Sequence, residues 1–100
     1  MANQRGVVYN LIPGDLNLRA SVDRNTLEVT LIWDIIKGVD KYQVERFGDV
    51  IGVVNRCNGG FIDYPPANQG YTYGVTGFNN FGRTNKFYLN VDVYNYNYGD

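Results

Sequence analysis

Apolar residues recur at every second position along most of this chain, a period that strands satisfy and amphipathic helices do not. Leu16, Leu18, Ala20 and Val22 alternate with Asn17, Arg19 and Ser21. Leu27, Val29, Leu31 and Trp33 do the same around Glu28 and Thr30, giving one dry face and one wet face. Tyr42, Val44 and Arg46 mark a third strand, 50–54 a fourth and 61–64 a short fifth. Tyr71, Tyr73 and Val75 begin a sixth; Phe87, Leu89, Val91 and Val93 form a seventh. The breaks between them read DRNT, KGVDK, FGD and CNGG. Asn-Gly in the last accepts positive φ at low cost and signals a reversal. Pro65 and Pro66 cannot donate to a ladder and stop the fifth strand. Short strands with turns at roughly ten-residue spacing predict an all-β, seven-stranded antiparallel β-sandwich. The 100 residues suffice for one core and not for two.

Composition then narrows function. Nine basic against ten acidic residues leave a net charge of −1 and no basic run, so nucleic acid is not an expected partner. Apolar stretches such as LIW and VV are too short for a membrane span. The opening MANQRGVVYNLIP lacks the continuous apolar segment of a secretory signal, which leads to the expectation of a freestanding protein. There is no histidine, which removes the commonest general base and the usual nucleophile pairs. Cys57 is alone, so no internal disulfide forms. The carboxylates scatter over turns and wet faces. Asp34, Asp40 and Asp63 come nearest to a calcium set, but no D-x-D-x-D-G loop accompanies them. Gly59-Gly60 opens no helix and reads as a turn rather than a phosphate cradle. The expectation is a non-enzymatic protein without metal or cofactor.

The segments LEVTLIWD, GVDKYQVER, FIDY and GYTYGVTGFNNFGRT, in that order, resemble the fibronectin type III domain, especially its bacterial forms. The matching positions are Pro13, Leu16, Trp33, Tyr42, Val44, Asp63, Gly70, Tyr71, Tyr73, Val75, Asn79 and Gly82, over about residues 13–93. The resemblance implies an immunoglobulin-like sandwich with Trp33 buried between the sheets, its indole N–H needing one partner. It implies that Tyr73 is the tyrosine corner, tying the preceding loop to the backbone. It also implies that Gly70 and Gly82 take turn conformations that side chains resist. The Arg-Gly-Asp of some animal members is missing, since the loop reads NNFGRT, so no adhesion role is carried over.

Both ends exceed that pattern. The chain divides into an apolar arm (1–12), the type III-like domain (13–93) and a Tyr-rich extension (94–100). Val7, Val8, Tyr9, Leu11 and Ile12 precede the domain, and Tyr94, Tyr96 and Tyr98 follow it on one side of a continuing strand. Three tyrosines there bring about 450–750 Å² of ring surface, more than a free monomer usually exposes. Phe81 and Arg83 in the NNFGRT loop are the next contact candidates. These ten residues are the expected partner-binding set. The function expected is an accessory (decoration) protein of a virus particle such as a bacteriophage capsid, located in the virion and docking on capsid or other assembly proteins. The alternative is a type III spacer or weak carbohydrate-binding module of a secreted bacterial enzyme or adhesin. A surface glycan would then meet Tyr88 or Tyr96, although Tyr88 reads first as a half-buried sheet residue.

Overall fold

The computed structural model describes residues 10–97. Its strands are β1 (Asn10–Leu11), β2 (Arg19–Asp23), β3 (Glu28–Ile32), β4 (Lys41–Arg46), β5 (Asp49–Asn55), β6 (Gly60–Asp63), β7 (Gln69–Phe78), β8 (Gly82–Arg83) and β9 (Phe87–Val93). The seven longer ones fall where the alternation put them; β1 and β8 are two-residue additions. They form two sheets, β2-β3-β6 and β1-β8-β7-β4-β5, with β9 also paired to β7. This is an all-β sandwich.

The alternation works as the pleat requires. Val29 and Leu31 of β3 point inward, as do Tyr42 and Val44 of β4, and Tyr71, Tyr73 and Val75 of β7; all are buried. Leu16, Trp33, Ile36, Val39, Val91 and Val93 complete the core. The β7 strand is central, covered on both faces from Tyr73 to Gly77. Trp33 packs on Tyr42 with centroids 5.5 Å apart, and the Tyr42 hydroxyl accepts from the Ile36 amide at 2.8 Å. The Trp33 indole N–H, expected to find a partner, has none among the described residues.

The turns show where local signals were incomplete. Phe47-Gly48 closes β4 onto β5 in two residues, both with positive φ (52° and 84°), and glycine takes the second without strain. The CNGG reversal is not a hairpin. It carries the chain from β5 in one sheet to β6 in the other, with no positive φ at Asn58 or Gly59. Gly70 and Gly82 likewise have no positive φ and lie within β7 and β8.

The hydroxyl that ties the preceding loop to the backbone, the role expected of Tyr73, belongs to Tyr71. The Tyr71 hydroxyl accepts from the Ala67 N–H at 3.0 Å and donates to the Ala67 carbonyl at 2.9 Å. Tyr73, two residues on and on the same face, reaches across the sandwich and donates to Asp63 Oδ2 at 2.6 Å. Arg46 Nη1 meets the same oxygen at 2.7 Å, so β4, β6 and β7 are clasped through one carboxylate. Burial first, then the Asp63 bond, pushes the Tyr73 phenol above the usual tyrosine range.

Candidate functional site

One end of the larger sheet gathers several of the sequence candidates. Asn79 Oδ1 accepts from the amides of Phe81 (2.7 Å) and Gly82 (2.8 Å), while its Nδ2 donates to the Gly38 carbonyl at 2.8 Å. The β7–β8 turn is therefore fixed by one side chain, and Phe81 stands out from it, 75% exposed. Beyond the turn β1 adds to β8 in parallel. The Asn10 amide donates to the Phe81 carbonyl at 3.0 Å and the Ile12 amide to the Arg83 carbonyl at 2.8 Å. Gly82 permits this approach, because a Cβ there would collide with the Asn10 carbonyl. The pairing sets Leu11 opposite Arg83. Leu11 is 63% exposed, whereas Ile12 is half-buried against the core. This rim therefore presents Leu11, Phe81 and Arg83 together, with Ile12 taken inward.

The larger sheet continues the surface. Val53 and Val50 on β5 lie outward beside Gln43 and Glu45 of β4. On the far side of Gly74 stands Tyr88, 66% exposed rather than half-buried. Gly74 leaves room for the Lys86 and Tyr88 side chains to lie across β7. Lys86 Nζ reaches Glu45 Oε2 at 2.6 Å, a bond that raises the lysine above its ordinary range.

The C-terminal candidates sit elsewhere. Gln69 of β7 pairs with Val93 and Phe78 with Arg83, so tail and rim lie at opposite ends of β7, about 30 Å apart. The ladder stops at Val93, and 94–97 do not continue it as a strand. The tail instead turns onto its own chain. Arg24 Nε donates to the Tyr94 carbonyl at 3.0 Å, and the Tyr96 amide donates to the Arg24 carbonyl at 3.2 Å. The Arg24 guanidinium lies 4.6 Å from the Tyr96 ring centroid, and the Asn95 amide donates to Asn68 Oδ1 at 2.6 Å. Tyr94 is half-buried and Tyr96 is 59% exposed. Val7, Val8, Tyr9 and Tyr98 lie outside the described residues.

The acidic residues do not converge. Asp34 accepts from Asn17 Nδ2 at 2.6 Å and pairs with Arg19; the Asn17 bond foremost holds its carboxyl below the usual range. Asp63 lies level with Val29 in the sheet, so Asp34 is about 16 Å away along β3. Glu28 accepts from the Tyr64 hydroxyl at 2.6 Å, which raises that phenol. Among the described residues no three His, Cys, Asp or Glu side chains gather as metal ligands. Two open clefts border the rim end. One, of about 380 Å³, involves Gln43, Thr76, Phe78, Asn80 and Arg83. The other, about 420 Å³, lies beside Ile35, Ile36, Val39 and Cys57. Of the first, the sequence reading marked only Arg83 as a contact candidate, because its residues lie on separate elements. It missed Arg24 and Asn68 because they are ordinary turn residues until the tail meets them.

The class defined by these features is a β-sandwich whose exposed aromatics lie on one sheet and at both ends. No family model matches the sequence, and no curated protein matches it. Among solved structures it is similar in fold to the crystal structure of the Clostridium perfringens spore cortex lytic enzyme SleM, with a TM-score of 0.65 and 15% identity. The likeness covers 77% of this chain and 27% of that one, so the chain spans about a quarter of that enzyme's length.

Proposed function

We propose that this chain is a non-enzymatic, fibronectin type III-like binding module that docks on a protein assembly. The assembly is a virus particle such as a bacteriophage capsid, on which the chain serves as an accessory (decoration) subunit. The type III reading is supported by the division of strands, β2-β3-β6 against β5-β4-β7-β9, with a buried Trp33 and a tyrosine corner at Tyr71. The observation that carries docking is the rim. Leu11, Phe81 and Arg83 are exposed at one end of the larger sheet, with Leu11 paired to Arg83, and Val50, Val53 and Tyr88 are further exposed apolar side chains on the same sheet. Aromatic and Arg anchors set in an apolar patch are the composition of interface centres.

The test is to purify virus particles from the source on a density gradient and probe them for this chain. The wild type is expected to co-sediment, and a Leu11→Asp/Phe81→Asp variant of unchanged thermal midpoint is expected to fall off. A chain found only outside the particle fraction overturns the virion role. A second reading has one observation in its favour: a solved structure with a similar fold is a lytic enzyme, of which this fold covers 27%. On that reading the chain is a spacer or glycan-binding module of a secreted bacterial protein, and it is recovered with cell-wall material.

A further inference from the structure

Asn58-Gly59 is the sole Asn-Gly pair in the chain, and it lies on the crossover from β5 to β6. Asn58 is exposed, and among the described residues neither its side chain nor the Gly59 N–H makes a hydrogen bond. The main chain on either side is tied. The Asn58 N–H donates to the Asn55 carbonyl at 2.9 Å, and the Trp33 N–H donates to the Gly59 carbonyl at 2.9 Å. The fold asks different things of the two positions. A Cβ on Gly59 would lie 2.7 Å from the Trp33 carbonyl oxygen, so only glycine fits without a shift. Asn58 has no positive φ and no side-chain bond, so nothing in the fold requires asparagine there. A free carboxamide thus precedes a glycine that cannot be exchanged for a residue crowding its nitrogen.

We propose that Asn58 is a site of spontaneous deamidation, with water as the co-reactant. The Gly59 nitrogen gives its proton to base and attacks Asn58 Cγ. A C–N bond forms, the Cγ–Nδ2 bond breaks and ammonia leaves, closing a succinimide ring. Water then opens the ring at either carbonyl. One opening gives aspartate; the other gives isoaspartate, whose main chain runs through Cβ and Cγ and is longer by one methylene. Glycine favours the first step because no Cβ crowds its nitrogen. Asn68 and Asn79 are protected by contrast, since their carboxamide oxygens accept from the amides of Asn95 and of Phe81 and Gly82. The added methylene falls between the bonds at Asn55 and Trp33, which cannot both keep their places. Isoaspartate therefore loosens the join between the two sheets beside Ile35 and Cys57, and either product adds a negative charge two residues from Arg56. This site is independent of docking through Leu11 and Phe81.

The experiment is to hold the full folded chain at mildly alkaline pH and body temperature with a thiol reductant. Each asparagine is followed by peptide mass spectrometry, and isoaspartate by enzymatic methylation. Asn58 is expected to convert first, at least tenfold faster than any other asparagine. Asn58→Ser should keep the thermal midpoint and abolish the early product. In the isolated isoaspartate form the Trp33 amide should exchange at least threefold faster than in the unmodified chain, with the Tyr96 amide unchanged. Conversion of Asn58 only after urea has unfolded the chain, or no sooner than that of the other asparagines, would overturn the site. Equal exchange at Trp33 in both forms would overturn the loosening of the join.

Discussion

The two ends of the molecule hold their extra chain by opposite means. At the rim, β1 is held by main-chain hydrogen bonds to Phe81 and Arg83, and Gly82 makes the contact close enough. Main-chain pairing consumes no side chains, so Leu11 and Phe81 remain outward for another surface. At the other end the tail is held partly by side chains: Arg24 stacks on Tyr96 and bonds Tyr94, while Asn68 holds Asn95. There the groups that would serve a partner are partly used on the chain itself. The rim is thus the better prepared surface, although the tail carries more aromatic rings per residue.

The comparison can be broken most severely beneath the tail. Replacing Asp63 by Ala leaves the Arg46 guanidinium and the Tyr73 hydroxyl without their shared acceptor. Urea unfolding should record a loss of about 3 kcal/mol, as for other half-buried pairs deprived of one member. Exchange of the Asn10 and Ile12 amides, governed by local opening of β1, should hardly change. Equal acceleration at both ends would mean that they open as one unit. At the rim, Gly82→Val drives a side chain against the Asn10 carbonyl. About 2 kcal/mol should be lost, and Asn10 and Ile12 should lose amide protection while Tyr96 keeps its own. A smaller effect, about 1 kcal/mol, is expected from Arg24→Ala, with faster exchange at the Tyr96 amide and none at Ile12. If rim docking survives Arg24→Ala and fails in Gly82→Val, the ranking of the two ends stands.

Much of the sandwich was legible because strand alternation is a property of single residues: Val29, Leu31, Tyr42 and Val44 declare their face without knowing their neighbours. Which of two tyrosines on one face makes the corner was not legible. Tyr71 and Tyr73 point the same way, and only the path of 64–68 decides which hydroxyl meets Ala67 and which meets Asp63. The tail was misjudged for a related reason. Continuing the period beyond Val93 assumes a neighbouring strand to pair with, and β7 begins at Gln69, opposite Val93. The rim was partly legible: NNFGRT marked Phe81 and Arg83, but nothing local revealed that β1 would run parallel beside them and turn Ile12 inward. The cleft under Thr76 requires three elements in register, which no linear pattern carries.

Alkaline pH sharpens the contrast with the least perturbation, because each end contains a group whose proton is held more tightly in the folded state. Under the tail, burial and Asp63 raise Tyr73; nearer the rim, Glu45 raises Lys86. A raised pKa in the fold contributes stability that is complete below the unfolded value, about 10 for either group, and is lost as pH rises from there toward the folded value. The thermal midpoint should therefore stay level up to about pH 9.5 and then decline, with roughly 0.5 kcal/mol lost through Tyr73 by pH 10.5 after allowance for solvent screening. Tyr73→Phe starts lower, for want of the Asp63 bond, but should decline less steeply, and what slope remains belongs to Lys86 and to Tyr64, which Glu28 raises. Lys86→Gln in the same background should flatten it further. If the double variant declines as steeply as the wild type, neither pair governs alkaline unfolding, and the clasp at Asp63 holds the sheets by geometry rather than by its proton.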